Sequence, residues 1–312
     1  MLSRTLNPKK YQVVVVAPRS YFVFTPLLAS TAVGTLEFRT TLESVRDRHA
    51  QVEFFQGWAD DVSFYNKTVT VEEAATDDEI KPHGIPPPPG TPPTITDTPR
   101  VLVSQETVDA TRSLVPHKRG TYQISYDKLV VAVGCYSQTF GTKGVREHAF
   151  FLKDIAQARK IRKQILKCKL HTSFKIQSPN PTGFETAASP STSEDVRNDV
   201  LNFAIVGGGP TGIEFAAELH DLIHEDLIHL YPTLIPLVRI SVYDVAPKIL
   251  SMFDASLASY ATQKYDRDGI KIKTEHHIQE LRPGRPGSDP NDYESSVTYT
   301  LVTKEEGEVG IG

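Results

Sequence analysis

The 312-residue sequence predicts an α/β fold in which parallel strands alternate with helices. Three observations carry that prediction. YQVVVV at 11–16 is a β-branched run of the kind buried on both faces of a parallel sheet. LNFAIV, from Leu201, leads through a glycine turn into a long amphipathic stretch and then into the apolar run VRISVYDV. DASLASYATQKYDRDG and IKIKTEHHI then add another helix and strand, giving the right-handed strand–helix repeat of a parallel sheet.

Along the chain, QVEFF (51–55), KTVTV (67–71) and TYQISYDKLVVAV (121–133) read as further strands. The Pro-, Thr- and acid-rich stretch within 72–100 reads as a solvated loop, its PPPP a linker rather than a ligand. FLKDIAQARKIRKQIL (151–166) has apolar residues at helical spacing and a basic outer face. A Ser/Thr/Pro-rich loop is expected over 171–200. Residues 213–230 form one helix in which LIHEDLIHL supplies core packing. Asp254 caps the next helix and Gly269 ends it. SVTYTLV and EVGIG read as closing strands.

Composition narrows the function classes. With 39% hydrophobic and 23% charged residues and a net charge of −4, the chain suits about two globular domains. It has no basic stripe for nucleic acid. No run reaches the ~18–20 apolar residues of a membrane span. Two cysteines, Cys135 and Cys168, make neither a disulfide framework nor a zinc site, which favours a reducing compartment. MLSRTLNPKK is too short to read as a targeting segment.

Gly207, Gly209 and Gly212 stand at G-x-G-x-x-G spacing between a strand and a helix. The first permits the tight turn, the second lets backbone approach a phosphate, and the third allows close helix–strand packing. Gly207, Gly208, Gly209, Pro210, Thr211, Gly212 and Glu214 therefore form the expected dinucleotide site, with the amides from Thr211 to Glu214 facing the pyrophosphate. Asp244 ends the next strand, where an acid accepts the adenosine ribose hydroxyls and repels a 2′-phosphate. Arg239 lies early in that strand, poorly placed for a 2′-phosphate. The expectation is NADH rather than NADPH.

IVGGGPTGIEFAAEL through LIHEDLIHLYPTLIPLVRISVYDVAPKILSMFD resembles the fungal mitochondrial type II NADH:ubiquinone oxidoreductases. VVVVAPRSYFVFTPLLASTAVGTLEFRT, YDKLVVAVGCYSQTFG and REHAFFLKDIAQARKIRKQIL are similar to further family segments. The resemblance implies two nested Rossmann-like domains of the pyridine nucleotide-disulphide oxidoreductase type. It further implies that NADH passes a hydride to FAD and that electrons go on to quinone without proton pumping. No side-chain nucleophile is then needed, and no catalytic residue is assigned. Arg19, Phe24, Thr25, Pro26 and Leu27 would lie along the flavin, with Ala132, Val133 and Gly134 approaching it. The domains implied are 1–147 for FAD and 148–312 for NADH, the latter with its core at 201–312. Peripheral association with the mitochondrial inner membrane and a possible homodimer are also implied.

The sequence departs from that pattern. YQVVVV reads as the second strand of the flavin domain, so that domain is expected to be incomplete. Relative to that pattern it is expected to lack a first strand and a glycine loop, and the membrane- and quinone-binding segments are expected to be missing as well. The chain alone is expected to bind FAD poorly and turn over slowly, or to be a non-catalytic NADH-binding remnant or subunit. A disulfide reductase would need a close cysteine pair, and Cys135 and Cys168 are 33 positions apart. Next to the presumed flavin, Cys135 is expected to be a small packed side chain. No metal is assigned. His276-His277 has no third ligand at a fitting spacing, and around Asp289 and Asn291 the central Gly and closing Glu of a calcium loop are missing.

Overall fold

Strand β7 (Asn202–Val206) pairs in parallel with β8 (Arg239–Tyr243), and β8 with β9 (Lys271–Lys273). The computed structural model describes residues 6–46, 52–74, 120–135, 137–166, 183–288 and 298–312. Most of the Pro-rich loop, residues 171–182, Cys168 and the Asp289–Asn291 pair lie outside them. By internal contacts the chain divides into two compact units, Met1–Phe24 with Leu42–Tyr136 and Thr25–Thr41 with Ser137–Gly312. Thr25–Thr41, which lies within 1–147, belongs to the second unit.

In the first unit β1 (Val13–Ala17) pairs in parallel with β4 (Val52–Ser63). Beyond it, β4, β5 (Thr68–Glu73) and β6 (Thr121–Ser125) run antiparallel. The sheet order is β1-β4-β5-β6, so among the described residues β1 is an edge strand, and Val14 is exposed on it. It is therefore not the doubly buried strand that its composition predicts. Tyr21–Val23 (β2) and Leu42–Ser44 (β3) form a separate two-stranded ribbon.

The expected strand 121–133 is also corrected. It stops at Ser125, and Val130, Val131 and Val133 are 70%, 65% and 84% exposed. Among the described residues no strand pairs with this run, so its backbone has no ladder to join. Cys135, expected to be packed, is exposed at the end of the same run.

The second unit is built on helices and two small sheets. Helix α1 (Leu28–Val33) packs on α2 (Ile155–Leu166) and on α4 (Pro210–Asp221). Ala29, Ala32, Ala158 and Ala216 are all buried, and such small residues let helices approach closely. The expected loop 171–200 contains two helical segments in its described part, Phe184–Ala188 and α3 (Glu194–Val200). Ser193 caps α3 by accepting from Val196 N, with Glu194 and Asp195 in its first turn, a local signal that overrides the loop-like composition.

Strands β10 (Ile278–Pro283), β11 (Tyr299–Thr303) and β12 (Gly307–Ile311) form an antiparallel sheet. Tyr243, Leu281, Leu301 and Ile311 make one core cluster, so the end of β8 is anchored in the same apolar centre as this sheet. Helix 213–230 is not uniform. After Asp221 it widens into a π turn over Leu222–Leu227 before Ile228–Leu230. Its buried stripe, Ile213, Ala216, Leu219, Ile223 and Leu227, nevertheless runs through both parts as core packing.

Candidate functional site

The site lies where β7 ends and α4 begins. Gly207 N–H donates to Tyr243 O (2.8 Å), tying the first glycine to the neighbouring strand. Its φ of +115° suits glycine, which has no Cβ to oppose that conformation. Gly212 shows the close-approach role: a Cβ there would run into Gly207 O. Around Gly207 and Gly209 an added Cβ would meet nothing within 4 Å, so the outer side of the loop is open. Gly209, Pro210 and Thr211 are exposed, whereas Gly208 is buried.

Helix α4 starts without a cap. Gly209 occupies the N-cap, no side chain accepts from the first-turn amides, and Pro210 holds N1, where its missing N–H costs nothing. An uncapped, exposed helix start carries the positive end of the macrodipole and suits an anion. Glu214, one turn in, is exposed, and partial desolvation of its carboxyl, followed by the charge of Glu218, raises it above the ordinary range. Tyr265, on α5 (Ala255–Arg267), donates to Ile213 O (2.5 Å) and ties the first turn of α4 to a second helix. Desolvation pushes that phenol up to about 12, so it stays a donor. Asp254 caps α5 by accepting from Ser256 N (2.8 Å), and Gly269 follows the helix at φ +79°, as expected.

Asp244 sits half-buried at the end of β8. Its Oδ2 accepts from Gly208 N (2.5 Å) and its Oδ1 from Ala246 N (2.7 Å). Its own N–H donates to Lys273 O (2.9 Å), and Gly208 O accepts from Leu250 N (2.8 Å). The acid is therefore a clip that fixes the glycine loop. A carboxylate has about four lone-pair sites, so two backbone donors leave room for ribose hydroxyls. Arg239 is at the opposite end of β8.

Glu218, not singled out from sequence, accepts from Ser30 Oγ (2.6 Å) and Thr35 Oγ1 (2.8 Å), fastening α1 and the turn after it to α4. No local signal marks it, because the partners are separated by 188 and 183 positions. The Gly208–Asp244 bond spans 36 positions and was equally invisible.

The residues expected along the flavin fall in both units. Arg19 is half-buried between β1 and β2, and Phe24 is exposed. Thr25, Pro26 and Leu27 form a single 3-10 turn leading into α1, where Leu27 O accepts from Thr31 Oγ1 (3.0 Å). Ala132, Val133 and Gly134 are exposed, and Gly134 has φ +70° with open space where a Cβ would be.

His276 and His277 are engaged by acids. His277 Nδ1 donates to Glu305 Oε1 (2.9 Å), while His276 Nε2 is 3.6 Å from Glu306 Oε1. Among the described residues no group of three or more His, Cys, Asp or Glu is placed to hold a metal. No helix there is long and apolar enough to cross a membrane.

Comparison with known proteins shows the family and the fold. The sequence is 36% identical over 275 residues to the external alternative NAD(P)H-ubiquinone oxidoreductase B1 of Solanum tuberosum mitochondria, covering 87% of this chain and 39% of that protein. It is 36% identical over 280 residues to a probable NADH dehydrogenase of Dictyostelium discoideum, covering 89% and 50%. With the external NADH-ubiquinone oxidoreductase 2 of Saccharomyces cerevisiae mitochondria it shares 32% identity over 286 residues, covering 90% and 42%. The chain thus spans half or less of the length of these relatives. In three dimensions it resembles the NDH2 of Plasmodium falciparum solved with NADH, at a TM-score of 0.68 and 22% identity, covering 98% of this chain and 49% of that one. This likeness supports the α/β Rossmann-like fold. The pattern of the pyridine nucleotide-disulphide oxidoreductases matches residues 2–309. The chain belongs to the pyridine nucleotide-disulphide oxidoreductase family.

Proposed function

We propose that this chain binds NADH at Gly207–Gly212 and belongs to a type II NADH:quinone oxidoreductase. The carrying observation is the open, uncapped start of α4, with Asp244 clipped to the middle of the loop. The amides of Thr211 and Gly212 receive the pyrophosphate, Gly209 lets it approach, and Asp244 meets the ribose hydroxyls and disfavours a 2′-phosphate. Quinone as acceptor, mitochondrial location and peripheral attachment to the inner membrane rest on the names of the relatives and on the resemblance.

FAD is the electron carrier that this reading implies, and bound FAD supplies two-electron chemistry. The described residues fit it in part. Exposed Val130, Val131 and Val133 and the open Gly134 offer apolar lining and close backbone. The alternative reading is an NADH-binding chain without turnover of its own.

Calorimetry with NADH and NADPH tests the first part: heat with NADH and at least tenfold weaker binding of NADPH are expected. Absence of heat with NADH from folded protein overturns it. The visible spectrum of the unsupplemented protein separates the two readings. Stoichiometric flavin absorption together with quinone reduction supports the enzyme, and a colourless chain that still binds NADH supports the second.

A further inference from the structure

Tyr265 reaches the start of α4 from a different helix. It is buried on α5, whose other buried residue is Ala258. Its backbone O accepts from Ile270 N (2.9 Å), and Ile270, itself buried, leads directly into β9. Its hydroxyl donates to Ile213 O (2.5 Å) in the first turn of α4, across 52 positions of sequence. One side chain thus connects the strand beside β8 to the helix that follows the glycine loop.

The connection closes a circuit. Asp244 N–H donates to Lys273 O at the end of β9, which fixes the acid against that strand. From Lys273 the path runs back along β9 to Ile270, through Tyr265, and on to Ile213. The loop between these two points is held again by Leu250, whose N–H donates to Gly208 O (2.8 Å). Leu250 takes φ +50°, a left-handed conformation that costs a non-glycine residue and that clusters at ligand clamps. Asp244 and the start of α4 are also the two ends of the candidate dinucleotide site. The acid faces the ribose and the first-turn amides face the pyrophosphate, so a dinucleotide meets both at once. Two anchor points act together at full strength only when their spacing is fixed before the ligand arrives.

Resting on the NADH reading of this loop, we propose that Tyr265 is a positioning residue that sets the spacing between the ribose acceptor and the pyrophosphate donors. It acts through Ile213 rather than on the ligand. Its hydroxyl holds the first turn of α4 in register with Asp244. Without that bond α4 keeps its own hydrogen-bond ladder, but its start can shift against β8. A ligand that spans both points then has to order them on binding, whereas a fragment that uses one point does not.

The experiment compares Tyr265→Phe with the wild-type 312-residue chain by calorimetry, titrating NADH and ADP-ribose directly and adenosine by displacement. The phenyl ring keeps the buried volume, and circular dichroism with thermal melts establishes the fold. NADH and ADP-ribose should bind about 5–10-fold more weakly to the variant, the loss of one net hydrogen bond. Adenosine, which reaches Asp244 alone, should keep its affinity. Tyr265→Leu, also without the hydroxyl, should show the same split between spanning ligands and the fragment. Tyr260→Phe, the same change at an exposed position of α5, should leave all three affinities unchanged. A bond that serves stability alone would lower the melting temperature and spare every ligand. Equal binding of NADH and ADP-ribose by wild type and Tyr265→Phe overturns the inference alone, as does adenosine weakened by the same factor. A wild type that binds neither NADH nor ADP-ribose overturns the NADH reading and this inference with it.

Discussion

Gly208 N–H donates to Asp244 Oδ2 over 2.5 Å, so the acid at the end of β8 holds the centre of the glycine loop at the end of β7. One carboxylate thus has two tasks, shaping the loop and facing the ribose, and a substitution separates them. Asp244→Asn keeps one acceptor oxygen but confronts the other backbone donor with an amide. Losing a charge-assisted bond costs about 1.5–3 kcal/mol, so NADH should bind roughly 10–100-fold more weakly. Removing the negative charge also relieves repulsion of a 2′-phosphate. Calorimetry should show the NADH-to-NADPH affinity ratio shrinking. An unchanged ratio would leave Asp244 with the loop-shaping role alone.

Two glycines of the same loop should fail in different ways. At Gly212 an added Cβ collides with Gly207 O, so Gly212→Ala should lower the melting temperature as well as NADH affinity. Gly209 has φ −78° and open space around it, so Gly209→Ala should fold normally. Its methyl group would instead stand where the phosphate approaches, and affinity alone should fall. Thermal melts beside NADH titrations read both outcomes. A Gly209→Ala protein with full affinity would place the phosphate elsewhere.

Glu218 is predicted to hold the Thr25–Thr41 segment against α4 through Ser30 and Thr35. Glu218→Ala removes the acceptor for both hydroxyls, at a cost of about 1–3 kcal/mol. Hydrogen exchange should rise in residues 28–35 more than in β10–β12. Glu218→Gln, which keeps one good acceptor, should fall between the two.

The strand–loop–helix unit was readable because its signals are local: an apolar run, three spaced glycines, and an acid closing the next strand. So were the cap at Asp254 and the stop at Gly269, each fixed by neighbours within a few positions. What escaped depends on distant partners. LVVAV has the composition of a strand, yet no described strand lies beside it, so it and Cys135 stay exposed. The clip at Asp244 and the clasp at Glu218 arise only once the chain has folded back on itself. Within 171–200, the Ser/Thr/Pro content outweighed the capping signal at Ser193, and α3 was missed.

Acid should loosen the β10–β12 sheet. The Arg282 hydrogen bond, followed by Gly287 N–H, holds the Glu308 carboxyl below its ordinary value of 4.5. Glu305 is lowered in the same direction, first by the backbone N–H of His277. A carboxyl depressed in the folded state contributes its stability above the unfolded pKa and loses it as pH falls through the folded one. The loss should therefore begin below about pH 4.5 and continue under it. Melting temperature measured from pH 7 to pH 3 should show a shallower acid decline in Glu308→Gln, which starts lower at pH 7. Identical acid limbs would show that these contacts contribute nothing to stability.

The exposed run Val130–Val133 and the open edge of β1 together predict self-association of the first unit. Val130, Val131 and Val133 are exposed, and β1 has one hydrogen-bonding edge without a partner strand among the described residues. Unpaired edges and apolar runs template pairing with further chains, and a charge placed on them opposes it. Sedimentation velocity across a hundredfold concentration range should show growing oligomers for the wild type. Val131→Lys should suppress them. If Val131→Lys associates as strongly as the wild type, the contact lies on another surface, and this run is not what brings the chains together.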